Sequence, residues 1–325
     1  MRSWSKTLGL ALLATNLVAC GAPDSGASGE EEAAEIGEPL GPTATVMTTT
    51  LPDFVNLGPS QVVYATDRCL QTVTVRSLTN GQSLSLGQFP DCATGAAVSD
   101  SSVFIASGTK IYSWDLFRGF FEIARGTSGL RGELLLDTQN VYFADSTGIK
   151  RVSRSGGTVF NLDPGSDVRL LALDGTLLYY RFGSQLRRIP VGGGTAFIVN
   201  TNVTGVIDLT FDSSSLYWAI GPATLGGSSR IERMAKGGGT TTRLHTTTVA
   251  ISDLVAASGN LYWVETRPDD ISSILRRTSA GAVTVPKPDL FLAAGMRAMG
   301  GFLYWNETVF GSGPLQQKVN RATLP

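Results

Sequence analysis

The chain has 325 residues, 42% of them apolar, and a formal charge of −1. That is enough apolar material for a large buried core, in one large domain or two ordinary ones. The absence of a basic excess argues against nucleic acid or an anionic membrane surface as the partner.

The first segment carries Arg2 and Lys6, the apolar run Leu8–Ala14 and then Leu17-Val18-Ala19-Cys20. A short apolar stretch behind a positive start reads as a secretory signal, too short for an ordinary spanning helix. Leu17-Val18-Ala19-Cys20 resembles a bacterial lipobox, which implies a signal peptide over residues 1–19 and a lipid on the Cys20 thiol. Gly21, not Asp, follows the cysteine, as in lipoproteins sorted to an outer membrane. Removing Arg2 and Lys6 from the 26 basic residues leaves 24 against 27 acidic ones, a net charge of −3. Residues 20–45 are mostly Gly, Ala, Ser, Pro and Glu, including Glu30, Glu31, Glu32, Glu35 and Glu38. Such a segment has almost nothing to bury and is expected to be a flexible acidic tether.

From residue 46 onward one cluster recurs: Val62-Val63-Tyr64-Ala65, Val103-Phe104-Ile105-Ala106, Val141-Tyr142-Phe143-Ala144, Leu178-Tyr179-Tyr180, Leu216-Tyr217-Trp218-Ala219, Leu261-Tyr262-Trp263 and Leu303-Tyr304-Trp305. The steps between first residues are 41, 38, 37, 38, 45 and 42, the period of a four-stranded propeller blade. The fifth period shows the parts: a strand over Ile207–Phe211, a turn at Asp212-Ser213-Ser214-Ser215, a second strand over Leu216–Ala219, a third over Ser229–Met234, a turn at Gly237-Gly238-Gly239 and a fourth strand over Thr241–Leu244. These glycines, like Gly192-Gly193-Gly194, read as hairpin turns, not as a phosphate loop.

The seventh copy runs out of chain after a third strand near Lys318–Ala322. Its missing partners lie upstream, because Thr48–Val55 ahead of Val62 parallels Thr246–Val255 ahead of Leu261. The expected fold is therefore an all-β, seven-bladed β-propeller of four-stranded antiparallel blades closed by N-terminal strands over residues 46–325, with six blades as the alternative. Closure removes the open sheet edges. Tyr64-Ala65-Thr66-Asp67, Tyr142-Phe143-Ala144-Asp145, Tyr262-Trp263-Val264-Glu265 and Tyr304-Trp305-Asn306-Glu307 resemble the signature of the YWTD and related six-bladed propeller families of extracellular proteins. The likeness spans about residues 46 to 325. The second, fourth and fifth repeats lack its acidic fourth position, and blade number departs as well, so that family's partners are not carried over.

Residues that recur once per blade read as architecture. They include the third-strand arginines Arg151, Arg188, Arg233, Arg277 and Arg321 and the acids Asp67, Asp145, Glu265 and Glu307. The single histidine, His245, sits among threonines with no nucleophile elbow nearby and reads as incidental to chemistry. Eight or nine residues before the second strands stand Asp53, Glu133, Arg169, Asp208 and Asp253, which with Arg297 should ring one tunnel mouth. Four acids there make calcium a possible ligand, against a simply water-filled channel. Longer second-to-third connections over 220–228, 266–273 and 308–316 bring Arg267, Asp269, Asp270 and Phe310 to the same face, as candidate ligand-binding residues. Cys69 and Cys92 also fall on that face, where a disulfide would close a 24-residue loop worth roughly 3 kcal/mol.

These features predict a membrane-anchored, non-catalytic envelope scaffold, monomeric, that binds a protein, peptide or glycan. The alternative is a hydrolase, lyase or lactonase using carboxylates at the tunnel mouth, with or without a divalent ion.

Overall fold

The computed structural model describes residues 40–50, 54–57, 61–65, 72–77, 82–88, 95–99, 102–115, 117–126, 129–130, 134–201, 203–222, 227–309 and 316–325. The signal segment, Cys20, Asp53, Asp67, Cys69, Cys92, Glu133 and Phe310 lie outside them. Among the described residues the regular structure is β-strand, and no helix is long and apolar enough to cross a membrane.

Strand β1 (Ala44–Thr50) is followed by β2 (Phe54–Leu57), β3 (Gln61–Ala65), β4 (Thr72–Ser77) and β5 (Ser83–Gln88), which form the first blade. Blade two contains β6 (Gly95–Val98), β7 (Val103–Ser107), β8 (Lys110–Asp115) and β9 (Gly119–Arg125). Blade three contains β10 (Leu135–Leu136), β11 (Asn140–Asp145), β12 (Gly148–Ser153) and β13 (Phe160–Pro164). Blade four contains β14 (Val168–Asp174), β15 (Leu177–Phe182), β16 (Gln185–Pro190) and β17 (Phe197–Asn200). Blade five contains β18 (Val206–Phe211), β19 (Ser215–Ile220), β20 (Ser229–Ala235) and β21 (Thr242–Thr247). Blade six contains β22 (Ala250–Ala257), β23 (Asn260–Thr266), β24 (Ile271–Arg277) and β25 (Val283–Phe291). The last sheet joins β26 (Ala294–Met299), β27 (Phe302–Val309) and β28 (Gln316–Thr323) to β1, so the described strands make seven four-stranded sheets.

The aromatic repeat is the second strand of each sheet, and its alternation builds the core. Val141 and Phe143 join a cluster with Phe104 and Ile111 of blade two, whereas Tyr142 and Ala144 join one with Leu178 and Tyr180 of blade four. Successive side chains of a strand point to opposite faces, so a strand that is apolar at every position must be covered on both sides. Leu216, Trp218 and Ile220 face blade four and Ala219 faces blade six in the same way. The fully buried side chains Trp218, Trp263 and Trp305 fill the seams in the second half of the ring.

Closure uses one strand, not two. Strand β1 pairs antiparallel with β28, from Ala44 opposite Arg321 to Thr50 opposite Gln316, while β2 pairs with β3 and starts the first blade. The segment parallel between residues 48–55 and 246–255 is thus an outer strand followed by the next inner strand, as in β21 and β22. The fold also begins earlier than residue 46: Leu40 is buried among Met296, Leu303 and Ala322, and the Gly41 N–H donates to the Thr323 carbonyl.

Candidate functional site

The inner strands β14, β18, β22 and β26 bring Arg169, Asp208, Asp253 and Arg297 to one cavity of about 300 Å³, walled by Leu171, Ile207, Ile251 and Ser252. Ala250 pairs with Thr266, so this end of the ring also carries the second-to-third turns. The pairing register breaks at the mouth in each of these strands, between Leu170 and Ala172, Val206 and Asp208, Ser252 and Leu254, and Ala294 and Arg297. Bulges of this kind twist a strand and re-aim its side chains. At Asp253 the backbone enters the left-handed region, with φ of 47°.

Asp208 has a structural task besides lining the cavity. Its Oδ2 accepts the Leu254 N–H of the next blade at 2.6 Å, and its Oδ1 accepts the Leu209 N–H at 2.8 Å. Two residues on, Thr210 Oγ1 accepts the Ala256 N–H at 3.2 Å. Strand β22 is the inner edge of its sheet, and every second N–H of an edge strand lacks a ladder partner. Side chains spaced by two on β18 supply the acceptors.

Burial pushes the Asp208 carboxyl up to about 7, and the Asp253 charge adds to that shift. The Leu254 and Leu209 N–H groups and the Arg297 guanidinium oppose it without cancelling it. A carboxyl poised near neutrality in a cleft beside two guanidiniums can exchange a proton with a ligand or meet its charge. Among the described residues, no group of three or more His, Cys, Asp or Glu side chains is gathered to hold a metal ion.

The candidate residues at the connections are arranged differently from the sequence expectation. The stretch 266–273 is not a long loop: β23 and β24 extend to Thr266 and Ile271, and a tight turn joins them, with Arg267 N–H donating to the Ile271 carbonyl and Asp270 N–H to the Arg267 carbonyl. Asp270 has φ of 64°, and the exposed Arg267 and Asp269 pair with each other at 3.3 Å. The hydrogen bond from Arg267 is the main reason the Asp269 carboxyl lies below its ordinary value. Neither Arg267, Asp269 nor Asp270 lines the cavity. The connection over 220–228 remains long, between β19 ending at Ile220 and β20 starting at Ser229.

The per-blade residues are used inside the fold. Arg151 Nη1 donates to the Val191 carbonyl of the next blade at 2.9 Å, and Arg188 Nη1 to the Lys236 carbonyl of the next at 3.1 Å. In blade six the register corrects the sequence reading: Arg276, not Arg277, stands opposite the repeat tyrosine, since Tyr262 pairs with Arg276 and Leu261 with Arg277. Asp145 is buried against Lys150 at 2.5 Å, and Glu307 accepts from Asn320 Nδ2 at 2.8 Å. His245, on the outer strand β21, makes a contact across the seam to blade six. Its Nε2 lies 2.6 Å from Glu265 Oε1 of the next blade, and its ring lies 4.9 Å from that of Trp263, whose Nε1–H also donates to Glu265. The spacing of a repeat reveals which residues recur, but not that β21 of one blade brings its histidine to β23 of the next.

The sheets and their seams define a β-propeller. No protein-family model and no curated protein matches the chain. Solved structures do match. An oligogalacturonate lyase in complex with manganese aligns over 89% of this chain and 97% of its own, with a TM-score of 0.63 and 10% identity. A chain of the mitotic checkpoint complex aligns over 96% and 100%, with a TM-score of 0.60 and 16% identity. BamB from Moraxella catarrhalis aligns over 82% and 85%, with a TM-score of 0.54 and 14% identity. At these identities the likeness establishes the propeller fold, and the signature resemblance reaches no further than that.

Proposed function

We propose that the chain is a lipid-anchored, non-catalytic propeller that binds a protein, peptide or glycan of the bacterial cell envelope at its tunnel mouth. The observation that carries this reading is the break in symmetry there. Where repeat residues such as Arg151, Arg188, Asp145, Glu265 and Glu307 are engaged within or between blades, the mouth gathers Arg169, Asp208, Asp253 and Arg297 from four consecutive blades around an open cavity. Binding sites are expected where a repeat departs from its own pattern. The sole histidine is held between blades by Glu265, away from this cavity. That propeller chains of similar fold occur within a protein complex supports protein partners in general.

Charge reversal tests the mouth. A partner recovered with the wild-type chain from detergent-solubilised envelopes should be lost at least tenfold by the double variant Arg169→Glu, Arg297→Glu, with an unchanged circular dichroism spectrum. Undiminished capture rejects the mouth as the binding surface. The anchor has a separate check: the N-terminal peptide of the mature protein should start at Cys20 and carry the mass of a diacylglycerol group. An unmodified cysteine there removes the anchoring half of the reading.

A second reading is favoured by Asp208. A carboxyl raised to about 7 in a cleft is suited to acid–base catalysis, which would make the mouth the site of a lyase, lactonase or hydrolase. That reading expects turnover of a glycan or ester whose rate follows a pKa near 7, and whose loss accompanies Asp253→Asn. A chain that turns over no such substrate at any pH is the non-catalytic scaffold.

A further inference from the structure

The seam between blades five and six lacks a bond that the two seams before it possess. Arg151 and Arg188 each reach the backbone carbonyl three residues beyond the next repeat arginine, Val191 after Arg188 and Lys236 after Arg233. By the same spacing Arg233 should reach the carbonyl of Ser279, three beyond Arg276. Instead its Nε–H donates to Ser215 Oγ of its own blade at 3.0 Å. Where the bond is missing the seam opens into a cavity of about 100 Å³, at the end of the ring opposite the tunnel mouth, and both Arg233 and Ser279 line it.

Its lining is cationic. Arg277, the extra arginine beyond the repeat position, contributes a second guanidinium, held by one bond from Nη1 to the Gly281 carbonyl at 2.9 Å. Asn260 and Ser279 add polar groups, and the Oγ1 of Thr278 is shielded from solvent without a hydrogen-bond partner. The one carboxylate in the lining, Asp212, is already engaged by the Tyr217 hydroxyl at 2.7 Å, the Ser214 and Ser215 N–H groups at 2.7 Å each and the Ser214 hydroxyl at 3.1 Å. Two guanidiniums against one saturated carboxylate leave a net positive site. Its volume is a few times a water's share of about 30 Å³, which suits one tetrahedral or planar oxyanion. Guanidinium forks match carboxylate and phosphate oxygens in pairs.

We propose that this seam binds a single small oxyanion, a phosphate or a carboxylate group, between Arg233 and Arg277, with the Thr278 hydroxyl as a further donor. The bound oxyanion takes the place of the missing carbonyl and ties blade five to blade six.

The test is a thermal melt of the full chain with inorganic phosphate or acetate, each against sodium chloride of equal ionic strength, with isothermal calorimetry of the same ions. The expected result is saturable binding and a rise of melting temperature with at least one of them, lost in Arg233→Gln, Arg277→Gln and retained in Arg188→Gln, whose seam is outside the site. A response to phosphate alone assigns a phosphate ligand, and a response to acetate alone assigns a carboxylate. No saturable binding of either ion to the wild type, or equal binding to the double variant, overturns the proposal. Should that variant fail to fold, Thr278→Val is the second arm: it should weaken binding several-fold, and unchanged affinity counts against the site.

Discussion

Replacing Lys150 by Met should destabilise the protein by about 3–5 kcal/mol, the largest effect expected of a single substitution outside the aromatic seams. Asp145, at the end of β11, has no solvent exposure, and the Lys150 side chain is 8% exposed. The Lys150 ammonium lies 2.5 Å from Asp145 Oδ2, while Oδ1 accepts the N–H and the hydroxyl of Thr147, each at 2.8 Å. Methionine matches the apolar stem of lysine but leaves a buried carboxylate without its counter-charge. The double variant Asp145→Asn, Lys150→Met removes both charges and keeps an oxygen for Thr147, so it should recover at least half of the loss. Urea unfolding of the wild type, both single variants and the double variant measures the coupling. A Lys150→Met variant within about 1 kcal/mol of wild type would show that this pair does not hold blade three.

The Asp208 carboxyl by itself should cost stability as pH rises from about 4 to about 7, by up to roughly 4 kcal/mol. The sign follows from the direction of its shift. Asp208 sits at about 7 in the folded chain against an ordinary value of 3.8, so the folded state holds the proton more tightly than the unfolded one. The stability this contributes is complete below the unfolded value and disappears as pH passes the folded one. Asp137, Asp212 and Glu265 act in the opposite sense, because their hydrogen bonds outweigh burial and hold them below their ordinary values. Their contribution is present above the unfolded values and lost as pH drops through the folded ones. Between the two trends stability passes through a maximum on the acid side of neutrality. Asp253→Asn should shrink the loss between pH 5 and 8, since it removes a charge that raises Asp208 while asparagine accepts the left-handed backbone there. Denaturant titrations at pH 5, 6.5 and 8 decide the matter, and a flat profile for the wild type contradicts the shift.

Much of the architecture was legible because it rests on periods. An aromatic strand every forty or so residues, apolar at every position, can only be a strand covered on both faces, and Val141–Ala144 splits between two seams as that requires. The same spacing located Arg169, Asp208, Asp253 and Arg297 on equivalent inner strands. What spacing does not carry is register and the partner across a seam. A one-residue slip exchanges the faces of a strand, so Arg276 and Arg277 could be told apart only by the pairing of β24 with β23. The connection after Thr266 looked long because turn residues were counted as loop, although the strands continue into it.

By itself, then, the amino-acid sequence determined the repeated blade, the closure by the N-terminal segment and the face on which the charged inner-strand residues gather. These follow from local chemistry repeated along the chain: alternation, turn residues and apolar content. Only the tertiary structure decided what each polar group does. It turned Asp208 into an acceptor for the edge of the next blade, made His245 a tie to Glu265 and left the seam beside Arg233 open. Those outcomes depend on distances of a few ångströms between blades some forty residues apart, which ring closure sets and no local pattern records.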